Sequence, residues 1–213
     1  MAAAGRSRGG VSLRVSGGRR LQSPSGDTAR PTPSRVRLAL MNILAAELPG
    51  CRWLDLCSGS GVMACEALQR GAAVVAAVEQ DRRHAAVARA NLEAVRAGLV
   101  REASVSVHCA EVGRWLRQPP SADSDSGQPP AARDFQLIYA DPPYAAGLYP
   151  TLCAGVAAGN WLTPDGTLLL ECSSSAIPVP AELPGQWTLR DQRRYGSTSV
   201  LLLQPSSREP RRY

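Results

Sequence analysis

The chain has 213 residues, 44% of them apolar, and a formal net charge of +6. That length and apolar share support one buried core with tails, and the lack of any run of 18 apolar residues, or of an apolar stretch after Met1, argues against a membrane span and against secretion. The six cysteines form no C-x-x-C pair and only His84 and His108 could join them as ligands, so no metal is expected, and a reducing cytoplasm fits this usage.

The positive charge sits at the ends. Residues 1–37 hold eight Arg against one Asp, and residues 190–213 hold six Arg against two acids, around an acidic body. A polyanion such as RNA would be drawn to those ends. No lysine occurs; arginine forks phosphate and stacks on bases, although the bias can equally reflect genome composition.

Residues 1–10 read as a disordered basic tail; an organellar transit peptide is the less economical reading of residues 1–20, which are rich in Arg, Ser and Gly. Val11–Val15 and Arg20–Ser23 flank Gly17-Gly18 and suggest a small β-hairpin within an extension over 11–30, with Arg19 and Arg20 as candidate RNA contacts. Pro33 suits a first helical position after a Thr32 cap, and Val36, Leu40, Ile43, Leu44 and Leu48 then recur at helical spacing up to Pro49-Gly50. From there strands and helices alternate. The predicted strands are Trp53–Cys57, Val74–Glu79, Val105–Cys109, Phe135–Ala140 and Thr167–Cys172; the predicted helices are Val62–Arg70, Asp81–Arg96, Val112–Leu116 and Leu148–Ala158. Trp187–Arg190 and Ser199–Leu203 close the chain as an antiparallel pair. Repeated β-α units imply an α/β, doubly wound, mostly parallel sheet over 11–204. Residues 118–133, rich in Pro, Ser, Asp and Gly, read as a flexible surface loop, and 205–213 as a tail.

Two motifs carry chemistry. Asp55-Leu56-Cys57-Ser58-Gly59-Ser60-Gly61 ends one strand and opens a helix, where open α/β sheets bind ligands. Gly59 and Gly61 let backbone approach a ligand, and small Ser58 and Ser60 keep the space clear. Asp55 would face the amino-acid part of a cofactor. Glu79, 18 residues after Gly61, could accept from both ribose hydroxyls, and Glu111 could sit near an adenine. The turn also matches the dinucleotide pattern G-x-G-x-x-A, but Asp55 would repel a pyrophosphate and suits a cationic sulfonium such as S-adenosylmethionine.

Eighty residues beyond Gly61 comes Asp141-Pro142-Pro143-Tyr144. A base amine is a poor nucleophile because its lone pair is delocalised into the ring. Asp141 and the Pro142 carbonyl can accept its protons, Pro142 and Pro143 stiffen the loop, and Tyr144 can stack on the base. Positive charge grows on that nitrogen during methyl transfer, so a fixed carboxylate favours the transition state.

These residues resemble the bacterial 16S ribosomal RNA guanine-N2 methyltransferases. The resemblance rests on Thr28–Arg37, Ala39–Leu44, Leu54–Gly61, Glu66–Ala72, Val78-Glu79, Asn91, Asp141–Tyr144, Trp161-Leu162 and Tyr195-Gly196. It implies a Rossmann-like class I methyltransferase fold with a seven-stranded sheet, S-adenosylmethionine as donor, and a guanine of 16S RNA, within an assembling small subunit, as acceptor. It also implies that Arg30, Thr32, Arg35 and Arg37 lie near the site or contact phosphates. A monomer is expected. Departures include Leu38 in place of an acid and Cys57-Ser58 in place of the usual Phe-Ala. Two alternatives stay open: an adenine-N6 methyltransferase acting on DNA or RNA, since DPPY serves both amines, and a non-catalytic RNA-binding assembly factor.

Overall fold

The computed structural model describes residues 13–23, 34–118 and 133–206. Arg30, Thr32 and most of the 118–133 loop lie outside them, as do residues 1–12 and 207–213. Seven strands, β1 (Arg52–Leu56), β2 (Val74–Glu79), β3 (Ser104–Cys109), β4 (Phe135–Ala140), β5 (Leu162–Ser173), β6 (Trp187–Tyr195) and β7 (Thr198–Pro205), form one sheet in the order β3-β2-β1-β4-β5-β7-β6. The first five run parallel, and β7 pairs antiparallel with both β5 and β6.

The parallel strands are apolar along most of their length because both faces of the sheet are covered. Helices α1 (Ser34–Ile43), α2 (Val62–Gln69) and α3 (Arg82–Ala97) lie over one face; α4 (Val112–Arg117) and α5 (Tyr149–Ala158) lie over the other. Helix α3 shows why the sequence folds locally as it does. The Asp81 side chain caps it by accepting from the N–H groups of Arg83 and His84, and Ala85, Ala88, Leu92 and Val95 form its buried stripe. Helix α5 packs on α4 closely enough that a Cβ on Gly155 would meet Leu116 at 2.9 Å.

The predicted elements are present with shifted ends. β5 begins five residues earlier than the periodicity indicated, because its first stretch holds Pro164 and Asp165 and pairs with β4 across an irregular register between Phe135 and Leu137. β6 runs on to Tyr195 through its polar residues, since as the outer strand it needs only one apolar face. A 3-10 turn at Tyr144–Ala146 and another at Pro180–Glu182 were not foreseen.

The described part of the N-terminal extension is the predicted hairpin. Arg14 bridges Arg20, and Leu21 N donates to Leu13 O at 2.8 Å. Its anchor is an ion pair buried between α1 and α2. Arg37 Nε donates to Glu66 Oε1 at 2.9 Å, and Arg37 Nη2 donates to the Arg14 carbonyl at 2.7 Å. Glu66 also accepts from the Ser16 N–H at 3.0 Å. Arg37 is 5% exposed and Glu66 is fully buried, so the expectation that Arg37 meets RNA is corrected: its guanidinium is engaged inside the protein. Replacing Arg37 by Leu strands a buried carboxylate, so Arg37→Leu is expected to cost about 3–5 kcal/mol of stability in urea denaturation, with much of the loss recovered in Arg37→Leu/Glu66→Leu. Equal unfolding midpoints for Arg37→Leu and the native protein would disprove the anchor.

Candidate functional site

β1 and β4 are neighbours, with Leu56 beside Ala140, and β2 lies on the other side of β1, with Leu56 beside Val78. The chain leaves β1 towards one edge of the sheet and crosses to the other after β3. This is a topological switch point, and it brings the residues that follow β1, β2 and β4 together at the carboxyl edge of the sheet.

The turn after β1 is held by backbone. Ser58 N donates to Val78 O at 3.0 Å and Gly61 N to Ser58 O at 2.8 Å. Gly61, at φ 72°, caps α2 in the left-handed conformation, and a Cβ there would meet the Ala88 Cβ at 3.1 Å. Glycine is thus required both by backbone conformation and by the approach of α3. Cys57 holds φ 62° without being glycine, a local strain of the kind that gathers at binding sites.

Asp55 is 1% exposed. Its Oδ2 accepts from the Ala64 N–H at 3.0 Å, while Oδ1 has no hydrogen-bond partner among the described residues. Burial pushes its carboxyl well above the usual carboxylate range; the Ala64 N–H opposes this, and the negative charges of Asp141 and Glu79 add to it. Glu79 orients differently: Oε2 accepts from Gly59 N at 2.8 Å and Oε1 from Asp81 N at 2.9 Å. These bonds fix the carboxylate while leaving its further lone pairs available. Ser58 Oγ is buried and also lacks a described partner. An orphaned buried carboxyl oxygen, an orphaned hydroxyl and a fixed carboxylate, in a cluster of acids, fit a ligand with a cationic end and hydroxyl groups.

Beyond β4, Asp141 is half-buried, Pro142 buried, and Pro143 and Tyr144 exposed. The Tyr144 hydroxyl lies close to the Thr198 side chain at the start of β7. Burial, together with Glu171, Asp141 and Cys172, pushes its pKa up to about 12, against the lowering effect of Thr198. Behind it, Tyr149 donates through its hydroxyl to Glu171 O at 3.3 Å, and Tyr139 donates to the buried Glu171 carboxylate.

The structure therefore brings together Asp55, Ser58, Gly59, Ser60, Gly61, Glu79 and the Asp141–Tyr144 segment. Glu111 stands at the same edge, but its carboxylate caps α4, accepting from Gly113 N and Arg114 N at 2.7 Å each. Of the candidate RNA contacts, Arg19, Arg20 and Arg35 are exposed. Arg19 rests its guanidinium on Gly98, at the far end of α3. A helix of 16 residues puts that end roughly 24 Å from the Glu79 edge. One residue that composition and spacing gave no reason to weigh is Asn91, on α3. It is 2% exposed, accepts from Gln22 N at 2.7 Å, and donates to Gln22 O and to Ser60 O at 3.0 Å each. It ties the N-terminal extension to the glycine turn. No cluster of three or more His, Cys, Asp or Glu arranged for a metal ion occurs among the described residues.

Residues 13–204 match the profile of a family described as conserved hypothetical protein 95. The chain is 28% identical over 188 residues to ribosomal RNA small subunit methyltransferase D of Escherichia coli (strain K12), covering 88% of this chain and 85% of that protein. It is 27% identical over 187 residues to the protein of the same name in Haemophilus influenzae, covering 88% and 89%. Among solved structures, yhhF of Escherichia coli, provisionally named a methyltransferase, superposes with a TM-score of 0.73 at 25% identity, over 92% of this chain and 99% of that one. A ribosomal protein L11 methylase of Lactobacillus delbrueckii, 18% identical with a TM-score of 0.55 over 84% and 82% of the two chains, shares the fold.

The raised carboxyl of Asp55 gives a pH test with a defined sign. An unfolded Asp ionises near about 4. Folded Asp55 holds its proton more tightly, so stability is lost as pH rises from that value through the raised folded one. Asp55→Asn cannot ionise. It is expected to melt close to the native protein at pH 5 and about 3 °C or more above it at pH 8, both without ligand, since each pKa unit is worth about 1.4 kcal/mol. Identical melting differences at the two pH values in differential scanning calorimetry would count against a protonated Asp55.

Proposed function

This chain belongs to the conserved hypothetical protein 95 family, and from that premise we propose that it transfers a methyl group from S-adenosylmethionine to the exocyclic N2 amine of a guanine in 16S ribosomal RNA, within an assembling small subunit. The observation that carries the proposal is the meeting, at adjacent ends of β1 and β4, of a donor-type turn and an amine-holding Asp-Pro-Pro-Tyr segment. The names of the relatives supply the RNA class.

S-adenosylmethionine, when bound, supplies an activated methyl carbon on a cationic sulfur. Asp55 and Ser58 would hold its amino-acid end, Gly59 and Gly61 would let backbone approach it, and Glu79 would accept from the ribose hydroxyls. Asp141 and the Pro142 carbonyl would accept the two amine protons of the guanine. That grip turns the nitrogen lone pair out of the ring plane towards the donor. As charge grows on nitrogen, the fixed Asp141 carboxylate stabilises it more than it stabilised the neutral amine. Tyr144, its hydroxyl beside Thr198, would present a ring face to the base. A base within a helix or stack must leave it to reach this segment. Arg19, Arg20 and Arg35, exposed among the described candidates, are proposed to meet phosphate.

Asp141→Ala is expected to lower methyl incorporation into 16S RNA by about 100-fold or more, the scale of a lost transition-state electrostatic contact, while S-adenosylmethionine affinity by calorimetry stays within about threefold. Near-normal turnover would remove Asp141 from the chemistry. Nucleoside digestion after transfer of labelled methyl separates the bases: label in N2-methylguanosine supports the proposal, and label in N6-methyladenosine transfers the assignment to adenine.

A further inference from the structure

A groove of about 430 Å³ is lined in part by Tyr144. Its floor and walls come from the 3-10 turn after β4, the start of α5 and the segment between β5 and β6, chiefly Tyr144, Tyr149, Pro150, Ile177, Val179 and Glu182. Neither Asp141 nor Pro142 lines it, so a base seated wholly inside it would not have its amine at those acceptors. Yet the groove and the amine-holding segment share Tyr144. Tyr144 thus borders both the groove and the Asp141–Pro142 acceptors.

Its chemistry restricts the occupant. The walls are aromatic, proline and aliphatic, with Tyr144 38% and Val179 51% exposed. Such surfaces bind flat π-systems largely without regard to sequence. The one charged group in the lining is Glu182, an acceptor-only carboxylate. It repels phosphate and accepts from the amino edge of a base. Tyr149 is fixed from behind by its bond to Glu171 O, and burial pushes its hydroxyl upward, so it stays a neutral ring. A phosphate or an acidic peptide fits this lining poorly; a nucleobase bearing an exocyclic amine fits it well.

We propose that this groove seats the nucleobase next to the target guanine in the same RNA strand, so that Tyr144 separates two unstacked bases. The proposal rests on the RNA methyltransferase reading above. Unstacking a target exposes the face of its neighbour. A slot that recovers that stacking offsets part of the cost of extrusion and adds local sequence preference through Glu182. It also accounts for an apolar opening at the catalytic edge of a protein whose strand ends are otherwise acidic.

The test uses the full chain with saturating S-adenosylhomocysteine and a five-nucleotide single-stranded RNA carrying 2-aminopurine beside its central guanine. Native protein is expected to change the 2-aminopurine emission on binding. Ala176→Trp, which fills the groove, and Val179→Asp, which charges its wall, are expected to abolish that change. In methyl transfer to small-subunit particles lacking the modification, both variants are expected to raise KM for RNA about tenfold, the scale of one lost base stack, with donor affinity unaltered. No emission change with native protein, or one that persists in both variants, overturns the groove assignment even where native transfer to RNA is intact. Absent transfer by native protein instead overturns the reading on which it rests.

Discussion

The constraint on which the site depends is the crowding of carboxylates at one edge of the sheet. Parallel strands end together, and the crossover between β3 and β4 puts Asp55, Glu79 and Asp141 on three adjacent strand ends. Burying charge of one sign is costly unless it is paired or neutralised. Glu79 is steadied by two backbone N–H groups, and Asp55 by one, with its other oxygen unmatched. A fold optimised for stability alone would not leave a wholly buried carboxyl in that state. A cation would make the arrangement favourable, so in the proposed function the same residues that weaken the free protein would select a positively charged ligand over a pyrophosphate. The glycine turn looks alike for both ligand classes; the acids around it distinguish them.

A second constraint fixes the extension that precedes α1. It has too few apolar residues to pack by itself, and among its described residues only Val15 and Leu21 are buried apolar side chains. Polar contacts supply the rest: Ser16 and the Arg14 carbonyl converge on the Arg37–Glu66 pair, and Gln22 meets Asn91 beside Ser60. Asn91 therefore joins the extension and the donor turn through one side chain. Its placement on the buried stripe of α3 has a physical reason, because an amide there can accept from the Gln22 N–H and donate to the Gln22 and Ser60 carbonyls.

Much of this was legible beforehand. The alternation of apolar runs with helical periodicity gave the parallel order, since strands buried on both faces carry little polar interruption, and the left-handed conformations of Gly59 and Gly61 follow from the turn they form. Other features left no local signal. Arg37 and Arg35 look alike in sequence, but α1 turns one into the protein and the other to solvent, and Glu66 lies 29 residues away from its partner. Glu111 reads as a site acid from its position after β3, while its two short bonds to Gly113 and Arg114 make it a helix cap. The groove left no signal because its walls come from two separated stretches, 144–150 and 173–183, and beyond Tyr144 their residues form no motif.

The fate of the amine proton follows from the same surroundings. Once the methyl group has moved, the nitrogen of the proposed acceptor carries positive charge and must lose a proton. The nearby hydroxyls and thiols are poor acceptors in their neutral forms, and their anions are out of reach near neutral pH. Burial pushes Tyr144 and Cys57 each up to about 12 and Cys172 to about 11, with neighbouring acids adding to the effect. Tyr149 shifts in the same direction for the same reason. That leaves the carboxylates. Asp55 is buried and already prone to hold its own proton. Glu79 is turned towards the backbone of Gly59 and Asp81. Asp141 alone is half-exposed, sits in the amine-holding segment and can pass a proton on to water. A protonated amine is far more acidic than the neutral one, so in the proposed reaction transfer to Asp141 or through it would be downhill and would need no stronger base. In the proposed reaction Tyr144 would act through geometry alone, as a neutral ring beside the base that Asp141 would grip.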